Sequence, residues 1–174
     1  MKDNPEELFP VTNERGDILG HASRSICHCG SMLLHPVVHL QVYNSKGELY
    51  LQRRPAWKDI QPNRWDTAVG GHVGYGETAP EALIREAEEE LGIRGFEVKF
   101  RKSYVFTSDK ERELVYCFTT VFDGVITPSE ELDGGRFWSH AEIEEAIADG
   151  SILTPNFMQE YRMLQDLIKP QTKE

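Results

Sequence analysis

The spacing of apolar residues along this chain changes period several times, and each change marks an element. From Val11 to Arg24 apolar and polar residues alternate around Asn13-Glu14-Arg15-Gly16, a turn-forming run, which predicts an opening β-hairpin. Val37 to Tyr43 and Glu48 to Gln52 are strand-like and flank Asn44-Ser45-Lys46-Gly47, which predicts a second hairpin. Pro55 and Pro62 mark a loop carrying Lys58 and Arg64, after which Trp65 to Val69 reads as one short strand running into Gly70-Gly71. Phe96 to Thr107 and Leu114 to Phe122 have strand composition, and Gly135 to Trp138 reads as a short last strand. Two helices should close the chain. Ser139 to Asp149 has an N-cap serine and a stop at Gly150, and Thr154-Pro155 opens a run with Phe157, Tyr161, Leu164 and Ile168 at helical spacing. A polar tail follows from about Lys169.

A further helix is legible between the glycines. Thr78-Ala79-Pro80-Glu81 is a capping box with a proline in the first turn, and Gly92 suits the position just past a helix end, so the helix should run from about Ala79 to Leu91. At about 100° per residue, Leu83, Ile84, Ala87 and Leu91 share one arc, the face a core would take. Glu86, Glu89 and Glu90 fall in the adjacent arc, while Glu88 points elsewhere. Like charges at this spacing cost about 0.2 to 0.5 kcal/mol per pair. Acids near the C-terminal end also oppose the helix dipole. Local rules broken in this way mark functional sites, and a hard divalent cation is the natural compensation, because it takes carboxylate oxygens and leaves positions for water and phosphate. An Arg85–Glu77 ion pair would then fix the glycine loop against the helix. Taken alone, an acidic run is more often a solvated face.

Composition narrows the classes. With 174 residues, 39% of them hydrophobic, the chain can bury one good core but not two comfortable domains. The net charge of −10 argues against nucleic-acid binding, which needs clustered Lys and Arg, and an anionic substrate would need a cation to screen it from the protein's carboxylates. No apolar run approaches the ~18 to 20 residues of a membrane span, and Met1 to Pro10 lacks the apolar stretch of a secretion signal. Cys27, Cys29 and Cys117 form no disulfide framework, so a cytoplasmic protein without membrane partners is expected, with a homodimer left open.

Gly71, Glu77, Arg85, Glu86, Ala87, Glu89, Glu90, Gly92 and Ile93 match G-x5-E-x7-R-E-U-x-E-E-x-G-U at every defined position, and this segment resembles the Nudix box. The resemblance implies an α+β Nudix fold, an α/β/α sandwich with a mixed β-sheet, over residues 1–174. The box would occupy 71–93, the N-terminal hairpin about 8–26 and the C-terminal helices about 139–169. It implies a loop, helix and loop that bind Mg²⁺ or Mn²⁺ and a substrate diphosphate, with Glu86, Glu89 and Glu90 as metal ligands and Arg85 with Glu77 orienting them.

The stretch from His28 to Glu113 also resembles isopentenyl-diphosphate isomerase, a relative of the same fold. His28, His35, His72 after Gly71, and Glu111 with Glu113 stand where that family holds a metal, and Tyr104 matches a catalytic tyrosine. Gly70 stands where the isomerase has its catalytic cysteine, and glycine can neither give nor take a proton. The Cys27-His28-Cys29 triplet lacks completing ligands at zinc-finger spacing. His39 is read as a packed or exposed side chain without a role, and Trp57 and Trp65 as packing residues, with stacking on a base the alternative.

These readings converge on a Mg²⁺-dependent hydrolase that cleaves a diphosphate linkage in a small organic diphosphate, of the nucleoside diphosphate–X type or another. Arg53, Arg54, Gly70 and Gly71 are candidate substrate contacts. The general base is sought among the box glutamates and Glu111, Glu113, Glu130 and Glu131. An isomerase-like enzyme and a nucleotide-sensing module without turnover are the alternatives.

Overall fold

Alternation in the first two dozen residues does produce a hairpin. A computed structural model describes residues 3–58 and 60–168 and pairs β1 (Leu8–Thr12) antiparallel with β2 (Ile18–Ser23). A single helical turn that the sequence did not announce, α1 (Arg24–Cys27), follows behind the N-cap Ser23.

The main sheet is organised by β3 (Leu34–Tyr43), which is buried along nearly its whole length. Its hairpin partner β4 (Leu49–Arg53) pairs with β5 (Trp65–Thr67) on one side, while β6 (Val69–His72) lies antiparallel on β3. Beyond α2 (Ala79–Leu91), β7 (Lys99–Thr107) runs antiparallel to β8 (Arg112–Val121), and β8 lies parallel to β3 in register from Leu34↔Arg112 to Tyr43↔Val121. The last strand, β9 (Gly135–Trp138), pairs with β4 and leads into α3 (His140–Asp149) and α4 (Pro155–Ile168). The sheet is therefore mixed. Opposite faces of its strands bury against different helices, because successive side chains alternate sides. Val38, Leu40 and Val42 pack with Leu83, Ala87 and Leu91 of α2. On the other side Leu49 and Leu51 pack with Trp138, Ile143, Ala146, Phe157 and Tyr161 of β9, α3 and α4. The result is the three-layer α+β arrangement the resemblance implied. No helix among the described residues is long and apolar enough to cross a membrane.

Four local expectations need correction. Trp65 to Val69 is two strands, because β5 takes β4 as its partner and β6 takes β3, and the chain breaks at Ala68 between them. The strand expected from Phe96 starts at Lys99, while Phe96 packs against the core instead. Trp57 is 65% exposed and packs on no core cluster; Lys58 Nζ lies 4.9 Å from its ring. Trp65 does pack, against Trp138 at 5.1 Å between ring centroids.

The fourth correction concerns α2. Its buried apolar residues are Ala82, Leu83, Ala87 and Leu91, whereas Ile84 is 45% exposed. At about 100° per residue the inward arc is centred between Leu83 and Glu90, so Glu86 and Glu90 belong to it and Ile84 is turned out. The helix is rolled away from its purely apolar face so that two carboxylates point inward. The polar tail expected from about Lys169 lies outside the described residues.

This roll sets an expectation for stability. Leu83→Ala should lower the unfolding free energy by about 2 to 5 kcal/mol, as for a fully buried leucine. Ile84→Ala should change it by no more than about 0.5 kcal/mol, as for a surface site. Urea unfolding of both variants checks the pair, and equal losses would contradict the roll.

Candidate active site

The site is built where α2 meets β6. Thr78 caps the helix: its Oγ1 accepts from Glu81 N at 3.3 Å, and Glu81 Oε2 accepts from Thr78 N at 2.8 Å. At the other end Gly92 adopts the left-handed φ of 64° that a glycine tolerates. There Thr127 N and Ser129 N donate to the carbonyls of Leu91 and Glu90 at 2.9 and 2.8 Å, which pins the loop between β8 and β9 to the helix end.

Arg85 clamps the glycine loop to the helix. Its guanidinium donates from Nε to Glu77 Oε1 at 2.8 Å and from Nη2 to Glu77 Oε2 and to the His72 carbonyl, both at 3.0 Å, the fork geometry that suits a carboxylate. Nη1 donates to Glu86 Oε1 at 2.6 Å, and Glu77 Oε2 accepts from Gly74 N at 2.9 Å. Against the opposing effect of burial, these bonds hold the Glu77 carboxyl below the usual carboxylate range.

The box acids are not equivalent. Glu86, with a side chain 14% exposed, sits against Gly71 so closely that a Cβ there would run into its carboxyl group. Glu90 Oε2 accepts from Gly70 N at 3.2 Å and from Gln52 Nε2 at 3.4 Å. Burial first, and the Glu86 charge next, push the Glu90 carboxyl well above the usual carboxylate range. Glu86 is also raised by burial, with Arg85 offsetting part of the effect. Glu89 stays at the rim, 59% exposed and 3.4 Å from Arg85 Nη1, so the expected trio is an inward pair plus one outer acid. Glu88 points away and pairs with Arg94.

A second cluster forms beside β6. One ligand atom each from His28, His35, His72 and Glu111 lies within 4.8 Å of the others. His28 Nε2 is 3.1 Å from His72 Nε2 and 3.0 Å from Glu111 Oε2, and His35 Nε2 is 3.7 Å from the same oxygen. His35 Nδ1 donates to the Leu33 carbonyl at 2.9 Å, which leaves Nε2 free to face the cluster. Phe9, brought over by the N-terminal hairpin, stacks on His72 at 4.4 Å and on His35 at 5.8 Å. Burial lowers the His28 and His72 imidazoles, favouring the neutral form that a metal ion takes. Glu113 approaches from the side, 4.0 Å from His72 Nε2, and is pushed up to about 7 by burial and then by the Glu111 charge.

Other candidates fall elsewhere. Arg54 is engaged internally, with Asp66 at 3.4 Å and the Ile60 carbonyl at 3.0 Å, and Arg53 pairs with Asp133 at 3.3 Å. Tyr104 donates to Asn156 Oδ1 at 2.9 Å. Glu130 and Glu131 are exposed, and the Glu131 charge is felt at Glu90. Cys27, Cys29 and Cys117 are free thiols. Sequence reasoning missed Gln52, Phe9 and the buried pair His39–Glu160, whose Nδ1 and Oε2 are 3.1 Å apart. Gln52 and Phe9 carry no chemical signal of their own. The pair joins residues far apart in the chain.

Comparisons with known proteins bear on the family and the fold. The chain is 32% identical over 129 residues to an uncharacterized Nudix hydrolase of Listeria monocytogenes, covering 72% of this chain and 75% of the relative. It is 27% identical over 171 residues to an uncharacterized Nudix hydrolase of Streptomyces coelicolor, covering 95% and 92%. A crystal structure of a Deinococcus radiodurans protein superposes with a TM-score of 0.79 at 26% identity, covering 90% of this chain and 98% of that one. The model of the NUDIX domain matches residues 33–160, so its span takes in both carboxylate helix and glycine strand, and the chain belongs to the NUDIX domain family.

Proposed function

We propose that this protein is a Nudix hydrolase that uses water to cleave a diphosphate linkage in a small organic diphosphate, such as a nucleoside diphosphate joined to a further group, with Mg²⁺ or Mn²⁺ held by Glu86, Glu89 and Glu90. The carrying observation is the inward carboxylate pair. Two acids share a part-buried space in which burial raises both and the Glu86 charge raises Glu90 further, an arrangement that oxygen-seeking divalent ions relieve. The donor set fits such an ion. Bound there, it supplies neutralisation of phosphate oxygens and acidifies water.

The chain's own residues do the rest. Arg85 and Glu77 hold Glu86 and the loop in a fixed relation, so the carboxylates need not reorganise when substrate arrives. Gly71 keeps a side chain away from the space beside Glu86 that a diphosphate enters. The proton of the attacking water passes to a carboxylate at this rim, drawn from Glu86, Glu89, Glu90 and Glu131, because Glu111 and Glu113 are engaged with histidines. Arg53, at the end of β4 and paired with the exposed Asp133, is the more available of the two candidate phosphate contacts, since Arg54 and its partner Asp66 are both less exposed.

The histidine cluster supports a second metal centre in this reading. Imidazole nitrogens with one carboxylate suit a transition-metal divalent ion better than Mg²⁺. His28, His35, His72 and Glu111 would hold it, with Glu113 beside them. An isomerase-like reaction would draw on the same cluster, but Gly70 supplies no acid or base there.

Two expectations follow. With Mg²⁺ and a panel of nucleoside diphosphate derivatives and prenyl diphosphates, products separated by mass should show a cleaved phosphate bond. Glu90→Gln should lower kcat/KM by on the order of a hundredfold or more, the scale of losing one electrostatic stabiliser. Full activity in Glu90→Gln sinks the ligand assignment, and solvent hydrogen entering an allylic diphosphate with no phosphate released favours the isomerase. For the second centre, the purified protein should carry a tightly held transition metal by elemental mass spectrometry. His28→Ala/His35→Ala should lose it while Glu90→Gln keeps it. Equal metal content in all three would count against a histidine centre.

A further inference from the structure

The α2-opposed face of the sheet carries a polar group for which the proposed reaction has no use. His39 Nδ1 lies 3.1 Å from Glu160 Oε2, deep between β3 and α4, and both residues are buried. Gln41 Nε2 donates to the same oxygen at 2.8 Å and Thr67 Oγ1 at 3.4 Å, so residues of β3 and β5 converge on one carboxylate of α4. Burial opposes a charge on His39, but Glu160 overrides it and lifts the imidazole to about 9. A buried ion pair of this kind is seldom worth more to stability than apolar side chains of the same volume. Its placement is specific, however. Cross-strand pairing sets His39 directly opposite Gly70, and a Cβ on Gly70 would stand 3.5 Å from His39 Cδ2 and 3.6 Å from Nε2.

Consecutive residues of a strand face opposite sides, so the glycine strand is held from both. On the α2 side Glu86 occupies the space that a Gly71 side chain would take, and on the α4 side the His39 ring lies under Gly70. The Gly70 N–H points to Glu90 Oε2 at 3.2 Å. A ring free to tilt would release the strand, and the Gly70 N–H with it.

We propose that the Glu160–His39 pair is the positioning support of the box metal site: it fixes the His39 ring against Gly70 and thereby sets the Glu90 carboxylate. The inference rests on the reading of Glu90 as a metal ligand. Neither residue touches substrate or metal; both act through the backbone of Gly70.

Mn²⁺ alone, titrated into the substrate-free protein and followed by electron paramagnetic resonance, tests it. The class of sites that Glu90→Gln abolishes defines the box site. Glu160→Gln and His39→Gln should weaken Mn²⁺ there by roughly tenfold, the scale of losing an outer support of a ligand, while circular dichroism shows a folded protein. The double variant His39→Gln/Glu160→Gln restores a neutral hydrogen-bonded pair and keeps the test open should a single variant fail to fold; its affinity should also fall, because an amide chain cannot fill the ring's place under Gly70. Unchanged Mn²⁺ affinity at that site in folded variants overturns the proposal and leaves the functional reading intact. Loss of no site in Glu90→Gln overturns the functional reading, and this inference with it.

Discussion

Two carboxylates that share the inward arc of one helix govern this structure. Glu86 and Glu90 occupy positions on α2 that an ordinary amphipathic helix gives to leucine, and Ile84 is left in solvent as a consequence. Such an arrangement survives only if the neighbouring chain makes room and supplies partners. Gly71 makes the room, Arg85 and Gln52 supply side-chain donors, and Gly70 offers its N–H. Burial raises both carboxyl groups, the Glu86 charge adds to it at Glu90, and a divalent ion would relieve both effects.

The short strand β6 is shared by everything chemical in the molecule. Gly70 reaches Glu90, Gly71 abuts Glu86, and His72 enters the histidine cluster while its carbonyl accepts from Arg85. Movement of that strand would be felt at both candidate metal centres. Its neighbours are arranged accordingly: β3 pairs with it through four residues, His39 lies beneath it, and Phe9 covers the histidines from the hairpin.

Much of this was legible in the residues. Capping at Thr78 and Gly92 and at Ser139 and Gly150 located helix ends, because caps are local rules that tertiary contacts rarely override. The Glu77–Arg85 pair was readable from the box. The roll of α2 was not, because periodicity assumes that apolar residues turn inward and carboxylates outward, and here another strand reverses that, Gly71 leaving space for Glu86 and the Gly70 N–H bonding Glu90. The division of Trp65 to Val69 depends on which strand each half pairs with, a choice no local pattern records. His39 and Glu160 stand 121 residues apart, and nothing in the surroundings of either names the other.

The most direct measurement is a crystal of the protein grown with Mn²⁺, with diffraction collected near the manganese absorption edge. The account predicts an anomalous peak within coordination distance of both the Glu86 and Glu90 carboxylates, facing the Gly70-Gly71 strand. Anomalous density elsewhere alone, with those two side chains bonded only to protein, would contradict it.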